Sequence, residues 1–283
     1  MLTAIQRARA AISLLDPEEV RKQAEQPVYV GLVSSTNAGY ADMEDFLVPR
    51  ELSHERRMEL MERIHRTGDQ SAPQKYDVVL YEQGLPCPAE AFTFYRNHPE
   101  RTVEDILAAR DDFGLPLARH FPPFRRAVVE RVIHSISREN AFFAAASALP
   151  NILPLMLGMA WSVGEFASDT VFITMNQVRM AFLVSAACNR SVGYNSQIVE
   201  ILSIVGSAFG WRALARELVA KIPFGAGILP KGAVAYAGTY TVGKALEHLL
   251  CTGRRHTRRE HREAWEKAYA RGARLLESQR KTV

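Results

Sequence analysis

Residues 28–39 read VYVGLVSSTNAG, and this stretch decides the fold of the first half of the chain. Its first six residues are strand-forming or apolar apart from one glycine, which predicts a strand over residues 28–33. Polar turn residues follow, and a helix is predicted to begin near Tyr40. A strand that runs into a polar turn and then a helix is where a phosphate-binding loop would lie, because free N–H groups and the helix dipole attract anions there.

The neighbouring segments extend this pattern into a small α/β domain over residues 27–113. A second strand is predicted at 76–81 and a third at 91–95. Helices are predicted at 53–66, where a serine can cap the amino end, and at 103–111. Strands that alternate with helices in this way indicate a small parallel sheet.

The phosphate-binding motif itself is degenerate. A functional loop has the pattern GxxxxGK[ST], in which the lysine reaches the β- and γ-phosphates. If Gly31 is taken as the first glycine of the motif, Thr36 stands at the position of the second glycine, Asn37 at that of the lysine and Ala38 at that of the serine or threonine. No lysine lies between Lys22 and Lys75, so no other register restores the motif. The sequence therefore predicts a remnant of a Rossmann or P-loop fold that does not hydrolyse nucleotide.

The second half of the chain is predicted to be mainly helical, which makes the fold class α+β overall. The predicted organisation is an N-terminal helix (1–26), the small α/β domain, a helical bundle (114–251) and a basic C-terminal helix or tail (252–283). Residues 141–164 carry no charge in 24 positions, which is long enough for a membrane span. Residues 170–189 could form the returning helix of a transmembrane hairpin.

The charge distribution supplies a prediction of sidedness. Residues 252–283 hold ten Arg and Lys against four Glu, although the formal charge of the whole chain is only +4. A second basic stretch at 119–138 holds five arginines. Basic flanks of this kind prefer the cytoplasmic face of a membrane, which predicts an even number of crossings, zero included.

Five segments of the second half follow one another in a recognisable order: 140–152 (NAFFAAASALPNI), 172–180 (FITMNQVRM), 211–218 (WRALAREL), 222–227 (IPFGAG) and 235–240 (AYAGTY). In order and spacing they resemble the YcjF-like family of bacterial membrane-associated helical domains of unknown function, and the resemblance covers about residues 115–250. It implies a helical, membrane-linked module that is often associated with Era-like GTPases. This chain departs from the GTPase-fused members because it lacks a working P-loop.

Polar residues within or beside the apolar stretches are the candidate site residues. They could form a polar network or contact a partner or lipid headgroups, and the alternative is a structural set of ion pairs or solvated helix faces. These residues are Asp169, Asn176, Gln177, Arg179, Arg212, Arg216, Glu217 and Lys231.

Taken together, these features favour a non-enzymatic, membrane-associated interaction or regulatory module on the cytoplasmic side. No metal-type spacing, nucleophile motif or cofactor motif occurs in the sequence. The predicted partners are membrane lipids and either a GTPase-like protein or further copies of the chain, whereas nucleic acid is disfavoured. One alternative is an atypical nucleotide site near residues 31–40, with Glu82 close to a Mg²⁺ position. The other is a soluble, cytoplasmic helical interaction protein.

Overall fold

Contacts within the chain define two compact units. The computed structural model describes residues 15–68, 73, 75–147, 169–201 and 228–280. One unit, here called the sheet unit, comprises residues 21–130 and 186–190. The other, the helical unit, takes its described residues from 1–20, 131–185 and 191–283. The α+β class predicted from the sequence, with a small α/β segment and a helical region, is confirmed.

The described residues contain four strands and nine α-helices. In chain order these are α1 Pro17–Ala24, β1 Val30–Val33, α2 Asn37–Leu47, α3 His54–Met61, β2 Ile64–Arg66, β3 Val78–Glu82, β4 Phe92–Phe94, α4 Pro99–Ala109, α5 Gly114–His120, α6 Pro122–Ala146, α7 Asp169–Ala187, α8 Ile228–Thr252 and α9 Arg258–Arg280. A short 3₁₀ helix, Asp111–Phe113, precedes α5.

The sheet is parallel throughout, with strand order β2-β1-β3-β4. Val30 of β1 pairs with Ile64 on one side and with Val78 on the other. The chain therefore moves outward from β1 in one direction to β2 and then in the opposite direction to β3 and β4. This reversal places the topological switch point between β1 and β3, where open α/β sheets bind ligands at the carboxyl ends of their strands.

Apolar side chains of the strands and helices form the core of the sheet unit. Leu32, Leu80 and Leu60 are fully buried, as is Met43 on α2. Helix α2 packs against β1 and β3, α3 against β2, and α4 against β4. Runs of buried aliphatic residues are expected in parallel strands, because helices can cover both faces of such a sheet.

Strand β2 was missed by the sequence analysis, which predicted a continuous helix over 53–66. The helix ends at Met61, and Ile64–Arg66 then pairs in parallel with β1. Three residues are too few to show the period-2 pattern of a strand, so this strand could not be predicted from the local sequence. Its conformation is set by pairing with β1. Arg66 is further fixed by two hydrogen bonds to Glu44 of α2, at 2.6 and 2.8 Å.

The helical unit is held together by close helix–helix approach. A Cβ atom on Gly272 of α9 would lie 2.8 Å from Cβ of Tyr236 on α8, so the two helices pack too closely for a side chain there. Tyr236 is fully buried together with Ala237. Its ring approaches the imidazole of His134 on α6, with Nδ1 and the hydroxyl oxygen 2.6 Å apart. Small residues thus bring α6, α8 and α9 into one core.

The prediction of a transmembrane helix is wrong for the described residues. None of the helices in this part of the chain combines the length and the apolar character that a membrane crossing needs. Helix α7 covers most of the predicted 170–189 segment, and it carries four buried polar side chains, Thr174, Asn176, Gln177 and Ser185. Most of the charge-free run 141–164 lies outside the described residues. For the described residues, the transmembrane assignment is therefore withdrawn.

Candidate functional site at the switch point of the sheet

The carboxyl ends of β1 and β3 bring two serines and one carboxylate together. Ser34 and Ser35 follow β1 directly, and Glu82 is the last residue of β3. Because these strands are neighbours and parallel, residues 48 positions apart in the sequence meet at the same edge. This edge is the switch point, and the amino end of α2 begins there at Asn37.

Glu82 is anchored by three hydrogen bonds to one of its oxygens. The hydroxyl of Ser34 donates to Oε2 at 2.7 Å, and Ser35 donates through its backbone N–H at 3.1 Å and its hydroxyl at 3.2 Å. Hydrogen bonds to a carboxylate stabilise its ionised form. The bond from Ser34 is the largest cause, and the backbone N–H of Ser35 the next, of a pKa for Glu82 below its ordinary value.

The carboxylate fits closely against the first turn of α2. A Cβ atom on Gly39 would lie 2.7 Å from Cδ of Glu82 and 2.3 Å from Oγ of Ser34. The N–H of Gly39 is itself bound by the hydroxyl of Thr36, the N-cap residue, at 3.0 Å. The side chain of Glu82 therefore lies where helix geometry favours an external anion, and the glycine makes the space for it.

Further charges line the same edge. Arg96 forms an ion pair with Asp42 of α2 at 3.2 Å, and its positive charge contributes to lowering the pKa of Glu82. The side chain of Arg96 is 69% exposed, so this pair is solvated and weak. Among the residues that the structure describes, no group of three His, Cys, Asp or Glu side chains is placed to hold a metal ion.

Two of the sequence-predicted site residues meet in a buried polar network in the helical unit. Asn176 donates to the side-chain oxygen of Asn140 at 2.9 Å, and Asn140 donates to the hydroxyl of Thr239, also at 2.9 Å. Gln177 approaches the same hydroxyl at 3.5 Å. All four side chains are at most 3% exposed. The network joins α6, α7 and α8, and this arrangement is that of a structural element within a core.

The other predicted residues do not join this network. Arg179 forms a partly exposed ion pair with Glu139 at 2.6 Å, and Lys231 donates to the hydroxyl of Ser147 at 2.7 Å. Asp169 is the first residue of α7. The remaining three, Arg212, Arg216 and Glu217, lie outside the described residues.

Sequence reasoning missed the partners that complete both groups. Asn140 and Thr239 lie within the segments that resemble the YcjF-like family, but they were not predicted to be site residues. A buried side-chain amide needs a hydrogen-bonding partner, and this requirement could have drawn attention to them. The bonds from Ser34 and Ser35 to Glu82 were also missed. A carboxylate directly after one strand and serines directly after its neighbour were the available signal for that contact.

No protein-family model, curated protein or solved structure matches this chain. The resemblance to the YcjF-like family remains a prediction from the sequence.

Proposed function

We propose that this protein is a non-enzymatic interaction or regulatory module built on a degenerate nucleotide-binding fold. The observation that carries the proposal is the position of Glu82, whose carboxylate accepts three hydrogen bonds at the switch point beside the amino end of α2. An ionised carboxylate there repels a nucleotide phosphate and uses the donors that a phosphate would need.

The degenerate motif supports the same proposal. The lysine position of the phosphate loop is Asn37, the first residue of α2, so the chain has no cation there to offset the charge of a triphosphate. A fold that keeps the layout of a nucleotide switch without its phosphate chemistry is suited to binding another protein. The partners that we propose are a GTPase-like protein or a second copy of this chain.

A titration with nucleotide tests the proposal. The full-length chain is titrated with MgGTP and MgATP in a calorimeter, beside the variant Glu82→Gln and the matched control Glu90→Gln, which alters an exposed acid of the same unit. We expect no saturable binding to the wild type or the control at micromolar concentrations. Micromolar, Mg²⁺-dependent binding to the wild type would contradict the proposal.

A second candidate function is atypical nucleotide binding at residues 31–40. One observation favours it, because the loop lies at the topological switch point, where open parallel sheets bind ligands. The variant Asn37→Asp separates the two candidates, since it adds a negative charge at the amino end of α2. Nucleotide binding that this substitution abolishes would establish the second candidate.

The proposed protein partner is tested separately. Light scattering after size-exclusion chromatography reports self-association of the full chain, and pull-down with a GTP-loaded or GDP-loaded GTPase of the same cell tests the other partner. A cytoplasmic location and contact with lipid headgroups remain predictions from the sequence, and fractionation of cell extracts tests both.

A further inference from the structure

At the edge of the sheet opposite Glu82, the charges of three arginines act on the buried imidazole of His120, and a fourth arginine donates to the same backbone carbonyl as one of them. Here the four arginines are called the arginine cluster: Arg56 on α3, Arg63 just before β2, Arg119 on α5 and Arg125 on α6. His120 ends α5, and its Nε2 lies 3.1 Å from the carbonyl oxygen of Gln26, just before β1. Residues that precede parallel strands lie at their amino edge, so this cluster is separate from the switch point.

The positive charges of the cluster exceed its negative ones. Arg56 pairs with Glu59 at 2.5 Å and Arg119 pairs with Glu25 at 3.2 Å. Both acids are about half exposed, at 48% and 50%. Every other hydrogen bond found for the four guanidinium groups among the described residues goes to a backbone carbonyl. The nearest are Arg125 Nε to Ala118 O at 3.1 Å and Arg119 Nη1 to Arg190 O at 3.0 Å.

Burial makes this excess of positive charge costly. The side chains of Arg56 and Arg119 are only 21% and 15% exposed. Burial is the main cause, and the charge of Arg56 the second, of a lowered pKa for Arg125. Like charges held close together in a partly desolvated site destabilise one another unless a counter-charge lies between them.

Two buried nitrogen atoms of the cluster lack the partners that a protonated phosphoryl group could supply, which are an oxygen acceptor for Arg56 Nε and a P–OH donor for His120 Nδ1. Arg56 Nε and His120 Nδ1 are buried and have no hydrogen-bond partner within the described part of the chain. His120 as a whole is only 5% exposed. The carbonyl of Gln26 can only accept, so Nε2 of His120 carries the ring proton and Nδ1 of the neutral ring is an acceptor. The hydrogen bonds to carbonyl oxygens at the end of α5 explain the position of Arg125. They do not supply a partner for Arg56 Nε or for His120 Nδ1.

We propose that the arginine cluster binds the phosphoryl group of a small molecule, with Arg56 and Arg63 as anion ligands and His120 at the base of the site. Guanidinium groups match phosphate oxygens in charge and geometry, and two N–H groups of one arginine can bind two oxygens. The burial of His120 restricts the ligand to a small one. This site is independent of the proposed function, because that function depends on residues at the opposite edge of the sheet.

The histidine couples binding to a proton. A hydrogen bond between Nδ1 and a phosphoryl oxygen requires one proton, carried either by the ring or by the phosphoryl group. The dianion of a phosphate monoester carries no proton, so its binding takes one up and its affinity rises as the pH falls from about 8 to about 6, whereas inorganic hydrogen phosphate brings its own P–OH proton. A site made of arginines alone would show no such dependence beyond the titration of the ligand itself.

Calorimetric titration of the full-length chain with inorganic phosphate and with pyrophosphate tests the site. We expect saturable binding below about 1 mM, and a loss of about tenfold or more in Arg56→Gln and Arg63→Gln, because a hydrogen bond to a charged group is removed. The matched control is Arg126→Gln, which alters an exposed arginine next to Arg125 and leaves the affinity unchanged. Tighter binding of pyrophosphate than of phosphate would indicate a diphosphate ligand, and equal affinities a monophosphate.

A second measurement tests the site even if Arg56→Gln fails to fold. The imidazole resonances of His120 are followed by NMR in wild-type protein and in Arg63→Gln as phosphate is added. We expect a saturable shift in the wild type that is weakened in Arg63→Gln. No saturable binding of either anion up to about 10 mM, or an equal loss in Arg126→Gln, would overturn the proposal. Neither result depends on the Glu82 and Asn37 variants, so failure here and failure of the proposed function are distinguishable.

Discussion

Acidification should destabilise the sheet unit through His120. This imidazole is buried, and burial is the largest cause of a pKa lowered to about 4. The charges of Arg63, Arg56 and Arg119 lower the pKa further, whereas the hydrogen bond to the carbonyl of Gln26 raises it. The folded state therefore holds His120 neutral at pH 7, and protonation of this ring opposes folding.

The magnitude follows from the difference between the folded and unfolded pKa values. The pKa falls from 6.5 in the unfolded chain to about 4 in the folded one, which is about 2.5 units and about 3 kcal/mol at 1.36 kcal/mol per unit. Because the folded value is the lower one, the unfolded state binds more protons between these two pH values. Stability is thus unaffected above about pH 6.5, is about 2 kcal/mol lower at pH 5, and is about 3 kcal/mol lower at pH 4.

Urea unfolding at a series of pH values measures this loss. The free energy of unfolding of the wild type is compared with that of His120→Gln, which cannot titrate in this range but keeps a donor for the carbonyl of Gln26. The difference between the two proteins isolates one group from all the carboxylates that also titrate in acid. The matched control is His54→Gln, an exposed histidine in the same unit.

We expect the curve of the wild type to fall more steeply than that of His120→Gln between pH 6.5 and 5, and the control to follow the wild type. Parallel curves for the wild type and His120→Gln would refute the reasoning, because His120 would then have the same pKa in the folded and unfolded chains.

Three further substitutions have defined outcomes, each measured on the purified full chain. Gly39→Ala should displace the carboxylate of Glu82 and raise the pKa of Glu82 toward its ordinary value, as measured by carboxyl NMR. An unchanged pKa would show that residue 39 and Glu82 are not in close contact. Gly243→Ala should cost about 1–3 kcal/mol in urea unfolding, because its Cβ would lie 2.7 Å from a methyl group of Ile133, and no loss would refute this close packing. Asn140→Ala should cost about 1–3 kcal/mol by leaving buried amides without partners, and a neutral effect would indicate that the network does not stabilise the core.

The local sequence was sufficient to predict the central strands. Residues 28–33 and 76–81 contain β1 and most of β3, because buried parallel strands are runs of aliphatic and β-branched residues. Strand β2 could not be predicted in this way, since Ile64–Arg66 has only three residues and owes its conformation to pairing with β1. Strand β4 lies at Phe92–Phe94, inside the predicted 91–95.

The prediction of a transmembrane helix over residues 170–189 failed because apolar composition alone does not distinguish lipid from protein surroundings. Helix α7 contains an apolar run, yet its Asn176 and Gln177 bind polar side chains of neighbouring helices. Its Phe172 stacks on Phe143 of α6, with ring centroids 3.9 Å apart. Such helices bury their apolar residues against one another, and a window average of hydropathy gives no information about the partner.

The arginine cluster could not have been predicted from the sequence. Its members form two pairs that are far apart in the sequence, Arg56 with Arg63 and Arg119 with Arg125, and the two pairs meet only after the sheet unit has folded. Arg119 and Arg125 were instead assigned to a basic flank of a membrane segment. In the folded sheet unit Arg119 is largely buried, and Arg125 donates to the carbonyl end of α5.

The most direct test of the central claim is a carboxyl NMR titration of Glu82 in the full-length chain, with and without MgGTP. The account predicts a pKa for Glu82 below that of an ordinary glutamate, because Ser34 and Ser35 bind the ionised form, and a resonance that does not move when nucleotide is added. An ordinary or raised pKa, or a resonance displaced by micromolar MgGTP, would show that an external phosphate can take the place of this carboxylate.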